Sequence, residues 1–242
     1  MIPALATAYV NRPDLLNRML SSVDAPCEHL LVVNNSGKPL PQTRPIEELS
    51  LGVNLGCAGA WNMILDRAFN QLNLPWVLIC GSDIEWQPGD LNTFEKTVND
   101  FPEASFLNGP LAFNHFVICR ACWEKIGAFW EESYPAFLED SDYWQRIRRC
   151  AIKVAGAEGL WTKHEGSASL KAGDEEFRSF VRQRHQRTWS KYAAKWGCPE
   201  WSSGLETFAT PFNEGGPINA WKLSPERMNE PHYYTENPIV TC

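Results

Sequence analysis

Three short apolar runs, each closed by a polar cluster and separated by helix-length segments, dominate the first third of the chain. Ile2 to Tyr9 leads through Asn11-Arg12-Pro13-Asp14 into a periodic segment, Leu15 to Val23. His29 to Val33 stops at Asn34-Asn35-Ser36-Gly37, a turn cluster. A helix expected over Gly59 to Gln71 precedes the third run, Trp76 to Cys80, which ends in Gly81-Ser82-Asp83. Strands that are apolar throughout must be covered on both faces, and helical spacers between them supply that cover. The fold class is therefore α/β, with a mostly parallel central sheet flanked by helices. Ligands in such sheets collect at the carboxyl ends of the strands. Thr7-Ala8-Tyr9, Asn34-Asn35 and Ser82-Asp83 stand at those ends.

The second half continues in shorter pieces. Phe116 to Cys119 reads as a strand and Ala121 to Ile126 as a short helix stopped by Gly127. Glu139-Asp140-Ser141-Asp142 opens a helix over Tyr143 to Cys150, where carboxylates suit the electropositive N-terminus. After Lys153 to Ala155 comes His164-Glu165-Gly166-Ser167. A long helix is expected from Glu175 to Trp196, stopped by Gly197 and Pro199. The last 46 residues hold six prolines and four glycines and little periodicity, which predicts an extended tail.

Composition narrows the class. With 242 residues, 44% hydrophobic and 21% charged, the chain can bury a core without staples, and disorder, collagen and coiled coil are excluded. No run is long and apolar enough for a membrane span, and the N-terminus does not read as a signal peptide. The eight cysteines are scattered, which fits reduced thiols in the cytoplasm (a host's, if the source is viral). Cys119 and Cys122 form a lone CxxC with no second pair to complete a zinc site. The net charge of −7 conceals a basic stretch: residues 146–195 carry 12 Lys and Arg against five Asp and Glu. A site for an anionic partner and a merely solvated face explain that stretch equally well.

Seven pieces, in order, resemble the family 2 glycosyltransferases of GT-A fold. They are Thr7-Ala8-Tyr9-Val10-Asn11-Arg12, Val32-Val33-Asn34-Asn35-Ser36, and Asn54-Leu55-Gly56-Cys57-Ala58-Gly59-Ala60-Trp61-Asn62. Ser82-Asp83-Ile84-Glu85, Ile126-Gly127-Ala128-Phe129-Trp130-Glu131, Glu139-Asp140-Ser141-Asp142 and His164-Glu165-Gly166-Ser167 complete the series. The resemblance implies a transferase domain over 1–197, with a nucleotide-sugar half over 1–110 and an acceptor half over 111–197, followed by the tail at 198–242. It implies transfer of a sugar from a nucleoside-diphosphate sugar, a UDP-sugar first, to an acceptor hydroxyl with inversion.

The same resemblance distributes roles. Thr7, Tyr9, Asn11, Arg12, Asn34, Asn35, Asn54, Gly56, Ala58 and Ser82 would hold the donor. The family's usual aspartate after the second strand is replaced by Asn34-Asn35, whose amides offer both donor and acceptor to a base edge. Asp83 and His164, with Glu85 as a third candidate, would bind Mn²⁺ or Mg²⁺, since hard oxygen with one imidazole suits those ions. Such a cation acts as a Lewis acid on the diphosphate leaving group. The acidic motif before Asp83 is reduced to Gly81-Ser82. Asp140 would be the general base, with Glu139 and Asp142 as substitutes.

For the acceptor, the residues offer two readings. Arg184, Arg187, Lys191 and Lys195 recur along one face of the expected long helix, a row able to follow nucleic-acid phosphates. With Trp61 and other tryptophans as stacking partners, the favoured acceptor is an extruded 5-hydroxymethylpyrimidine, such as 5-hydroxymethylcytosine, in DNA, and the resemblance would then be to the phage-type, DNA-glucosylating members of the family. The alternative is a saccharide or glycoconjugate, which uses the same aromatic chemistry and suits the acidic pI. A further alternative is a non-catalytic nucleotide-sugar binding module.

Overall fold

The computed structural model describes residues 1–40, 44–166, 168–173 and 175–196. Ser167 and the expected tail, 198–242, lie outside them. The elements run β1 (Ile2–Tyr9), α1 (Pro13–Ser21), β2 (Cys27–Asn34), β3 (Glu47–Leu49), α2 (Gly56–Leu65), β4 (Trp76–Gly81) and β5 (Ile84–Glu85). They continue with α3 (Asp90–Asp100), β6 (Phe106–Gly109), β7 (Ala112–Cys119), α4 (Arg120–Ile126), α5 (Glu139–Arg149), β8 (Val154–Gly156), β9 (Lys163–His164), α6 (Ala168–Lys171) and α7 (Glu175–Trp196).

Seven strands form one sheet in the order β3-β2-β1-β4-β7-β6-β8, and β7 alone runs against its neighbours. Alternation along each strand explains the two-sided cover. Ala4, Ala6, Leu31, Val33, Val77, Ile79, Phe116 and Ile118 pack on one face, under α2, α4 and α5 through Ile64, Trp123, Tyr143 and Ile147. Leu5, Leu30, Val32, Leu78 and Val117 face the other way, under α1 and α3 through Leu16, Met19, Leu20, Leu91 and Phe94. Both faces of each central strand are thereby dry, the condition under which parallel strands persist.

Several elements depart from the sequence expectation. Helix α2 begins three residues early, at Gly56, because Asn35 Oδ1 accepts the Leu55 N–H (3.0 Å) and Asn54 Oδ1 accepts the Gly56 N–H (2.9 Å). A wider π-type turn over Asp66–Gln71 extends it. Strands β3, β5 and β6 and helix α3 carried no expectation. They are short or polar, and α3 buries only Asp90, Leu91, Phe94 and Thr97. Pro13 occupies the first turn of α1, where its missing N–H is harmless, and Gly127 closes α4 at φ +73°. Helix α7 coincides with the expected Glu175–Trp196.

Candidate active site

β1, β2 and β4 present their carboxyl ends along one edge, with Ala8 paired to Gly81 and Tyr9 to Asn34. Beyond that edge the chain turns from β4 through Ser82 and Asp83 into β5, which pairs antiparallel with β9. The register sets Ile84 against His164 and Glu85 against Lys163. Asp83 Oδ2 and His164 Nε2 then stand 3.2 Å apart, 13% and 16% exposed. A Cβ on Gly81 would lie 2.7 Å from Asp83 Oδ1, so glycine leaves the space the folded-back carboxylate occupies. The shortened acidic motif thus has a local steric reason.

Glu85, the third candidate ligand, is engaged elsewhere. It meets Lys163 Nζ at 3.2 Å and Arg18 Nε at 3.5 Å, and Lys163 in particular holds its carboxyl below the usual range. Among the described residues, no three His, Cys, Asp or Glu side chains form a metal-holding group. A carboxylate and an imidazole side by side nevertheless fit a hard divalent ion that fills its remaining positions with water and phosphate oxygens.

A pocket of about 190 Å³ opens at the ends of β1 and β2. Four residues expected at the donor line it: Tyr9, Asn35, Asn54 and Gly56. Gly56 adopts φ +69°, and a Cβ there would meet Pro135 O at 2.7 Å, so the loop before α5 closes tightly over the start of α2. Phe177 and Val181 of α7 form another wall, with Cys57, Pro135 and Ala136. The sequence reading assigned none of these five to the donor. Only the four-residue spacing of Phe177 and Val181 hinted that they share a helix face.

Other expected donor residues hold the frame instead. Thr7 is fully buried and donates its hydroxyl to Cys80 O (2.9 Å), tying β1 to β4. Ala58 lies in the apolar core. Asn34 builds its own turn: Nδ2 donates to Lys38 O and Glu48 Oε1 (2.7 Å each), and Oδ1 accepts from the Ser36 N–H and hydroxyl. Both of its amide ends are therefore occupied and it cannot read a base. Asn35 clamps the 54–56 loop, donating to Gly56 O at 3.1 Å. Arg12 sits at φ +63° with its guanidinium on Asp14 (2.9 and 2.6 Å). Asn11 and Ser82 are buried close to the strand ends.

The first turn of α5 carries Glu139 and Asp140. Burial, then the charge of Asp140, pushes the Glu139 carboxyl up to about 8, and its Oε2 has no hydrogen-bond partner. Asp140 is half-buried, and its Oδ1 accepts the Ser141 N–H at 2.6 Å. Asp142 is not available as a substitute base. It is fully buried, taking Arg146 Nε (2.9 Å) on Oδ2, and Trp196 Nε1 (2.9 Å) and Lys195 Nζ (2.6 Å) on Oδ1.

That arrangement also alters the expected phosphate row. Lys195 is held by Asp142 and lies over the rings of Trp130 and Trp196. Lys191 pairs with Glu132 at 2.9 Å, and Arg184 stacks over Phe180. Of the four, Arg187 is the one that stands exposed. Trp61 is buried in an aromatic cluster with Phe116 and Phe129, out of reach of any acceptor.

No protein-family model and no curated protein matches the sequence. Solved structures do match the backbone. S. aureus TarS (residues 1–349) with UDP-GlcNAc superposes with TM-score 0.54 at 15% identity, over 76% of this chain and 65% of that one. The mannosyltransferase PcManGT from Pyrobaculum calidifontis, in complex with GDP-Man and Mn²⁺, gives 0.54 at 15% identity, over 82% and 66%. The catalytic domain of Drosophila β1,4-galactosyltransferase 7 with xylobiose gives 0.50 at 13%, over 75% and 79%. The fold is GT-A. This chain spans about two thirds of the TarS fragment and of the mannosyltransferase, and the likeness is one of architecture. No helix among the described residues is long and apolar enough to cross a membrane.

Proposed function

We propose that this GT-A chain is a glycosyltransferase that moves a sugar from a nucleoside-diphosphate sugar to a hydroxyl of a saccharide or glycoconjugate, with inversion. The 3.2 Å approach of Asp83 and His164 at the edge where the pocket opens carries this reading. A divalent cation bound there would neutralise charge developing on the departing diphosphate. Tyr9, Asn35, Asn54 and Gly56 line the space for the nucleotide, a UDP-sugar first. Asp140 takes the proton of the acceptor hydroxyl. Glu139 is ill suited to that task, because a carboxyl held near 8 is protonated at neutral pH and cannot accept the proton.

The DNA acceptor drawn from the sequence rested on a row of free cations on α7. With Lys195 taken up by buried Asp142 and Lys191 drawn to Glu132 at the surface, that support is reduced, and the xylobiose bound to the Drosophila enzyme favours a saccharide. The test incubates the protein with Mn²⁺ and UDP- or GDP-sugars, in turn with a saccharide panel and with hydroxymethylcytosine DNA, and measures nucleoside diphosphate release. Saccharide-stimulated release is expected. Stimulation by DNA alone would return the acceptor to DNA, and a failure to bind any nucleotide sugar would remove the transferase reading.

A further inference from the structure

The ribbon that brings His164 to Asp83 is only two residue pairs long, too short to fix its own register. Its exposed ties are weak: Lys163 meets Glu85, and Arg18 meets Glu165 at 2.7 Å, all partly solvated pairs of small net worth. The buried tie is at Asp90, the first residue of α3, which is 2% exposed. Its Oδ1 accepts the Trp161 N–H (3.1 Å), and its Oδ2 accepts the Thr162 hydroxyl (2.7 Å) and the Gln87 N–H (3.0 Å). One carboxylate therefore grips the segment two residues before His164 and the segment following Glu85.

We propose that Asp90 is a positioning residue that sets the register of β9 against β5, so that His164 faces Asp83. The proposal rests on the reading of Asp83 and His164 as cation ligands. A buried carboxylate with three donors forms charge-assisted bonds and holds the main chain of the Trp161-Thr162 arm from within. Without it, the arm slips or frays, and a slip of one residue would turn His164 to the opposite face.

The test uses two variants, Asp90→Asn and the milder Thr162→Val, beside Asp83→Asn. Hydrogen exchange of the metal-free protein is followed at residues 161–165, and Mn²⁺ affinity is measured from the loss of free-ion paramagnetic signal. Asp90→Asn is expected to speed exchange in that segment and weaken Mn²⁺ binding about tenfold, the scale of lost outer-shell support. UDP binding without metal should not change. Thr162→Val should move both readouts in the same direction by less, and it decides the matter if Asp90→Asn fails to fold. Abolition of Mn²⁺ binding by Asp83→Asn, with wild-type affinity in both other variants, overturns the proposal and leaves the cation reading intact. Wild-type Mn²⁺ affinity in Asp83→Asn overturns the cation reading and the positioning role with it.

Discussion

His164 Nε2 stands 3.2 Å from Asp83 Oδ2, across a ribbon that joins the end of the central sheet to a distant stretch of chain. The pair is sensitive to backbone space as well as to its own chemistry. Gly81→Ala alters neither side chain, yet its Cβ would fall 2.7 Å from Asp83 Oδ1 and push the carboxylate aside. The expected outcome is a rise of about tenfold in the Mn²⁺ concentration needed for half-maximal nucleotide release, with smaller change at saturating metal. A steady-state titration of the purified variant with Mn²⁺ reads this directly, and an unchanged titration would mean that Asp83 has room to relax.

Asp140 is assigned the proton transfer. Asp140→Asn keeps the shape of the side chain and the Ser141 contact on its oxygen. Turnover should fall by about 10²–10⁴-fold, the usual share of a general base, while nucleotide affinity stays within about twofold. Single-turnover kinetics with equilibrium UDP binding separate the two quantities. Near-normal turnover would take Asp140 out of the chemistry.

Glu139 predicts a pH dependence of stability. Its carboxyl is raised from 4.5 to about 8, chiefly by burial, so the unfolded chain releases this proton at lower pH than the folded one. The contribution to stability is thus fully present below about 4.5 and is lost as pH rises through about 8. Glu139→Gln removes the titration. The variant should match the wild type near pH 4.5 and exceed it at pH 8, by about 2–4 °C in Tm for each kcal/mol relieved. Thermal melts across that range provide the check; parallel curves for the two proteins would show that Glu139 ionises normally.

Much of this architecture is legible in the sequence because it follows from periodicity. The runs Ile2–Tyr9 and Trp76–Gly81 had to be strands buried on both faces, and α7 reads from Glu175 to its last residue. Asp83 and His164, singled out together in the sequence, also stand side by side. What escapes is set by partners distant in sequence. Asn34 looks like a base reader until its turn occupies the amide, and Asp142 looks like a spare carboxylate until Arg146, Lys195 and Trp196 close on it. Asp90 carries no local signal for the Trp161-Thr162 segment it grips. The wall formed by Phe177 and Val181 likewise depends on where α7 docks, which helical spacing alone does not state.

The cations of α7 supply the last prediction. Asp142 is fully buried among Arg146, Lys195 and the Trp196 indole, and burial lowers the Lys195 ammonium while Asp142 opposes that shift. Arg146 also donates to Ile126 O and Ala128 O at 2.7 Å, binding the end of α4 to α5. Arg146→Ala leaves the buried Asp142 Oδ2 and two carbonyls without their donor, which should cost about 3–5 kcal/mol in urea denaturation. Lys195→Ala leaves Arg146 and Trp196 on Asp142 and should cost less, about 1–3 kcal/mol. If these groups instead served a nucleic acid, Lys191→Ala with Lys195→Ala would flatten the salt dependence of DNA binding by about one slope unit per cation lost and leave the urea midpoint in place. The pairing of Lys195 with buried Asp142 predicts the reverse, with a lowered midpoint and no change in whatever DNA affinity the protein has.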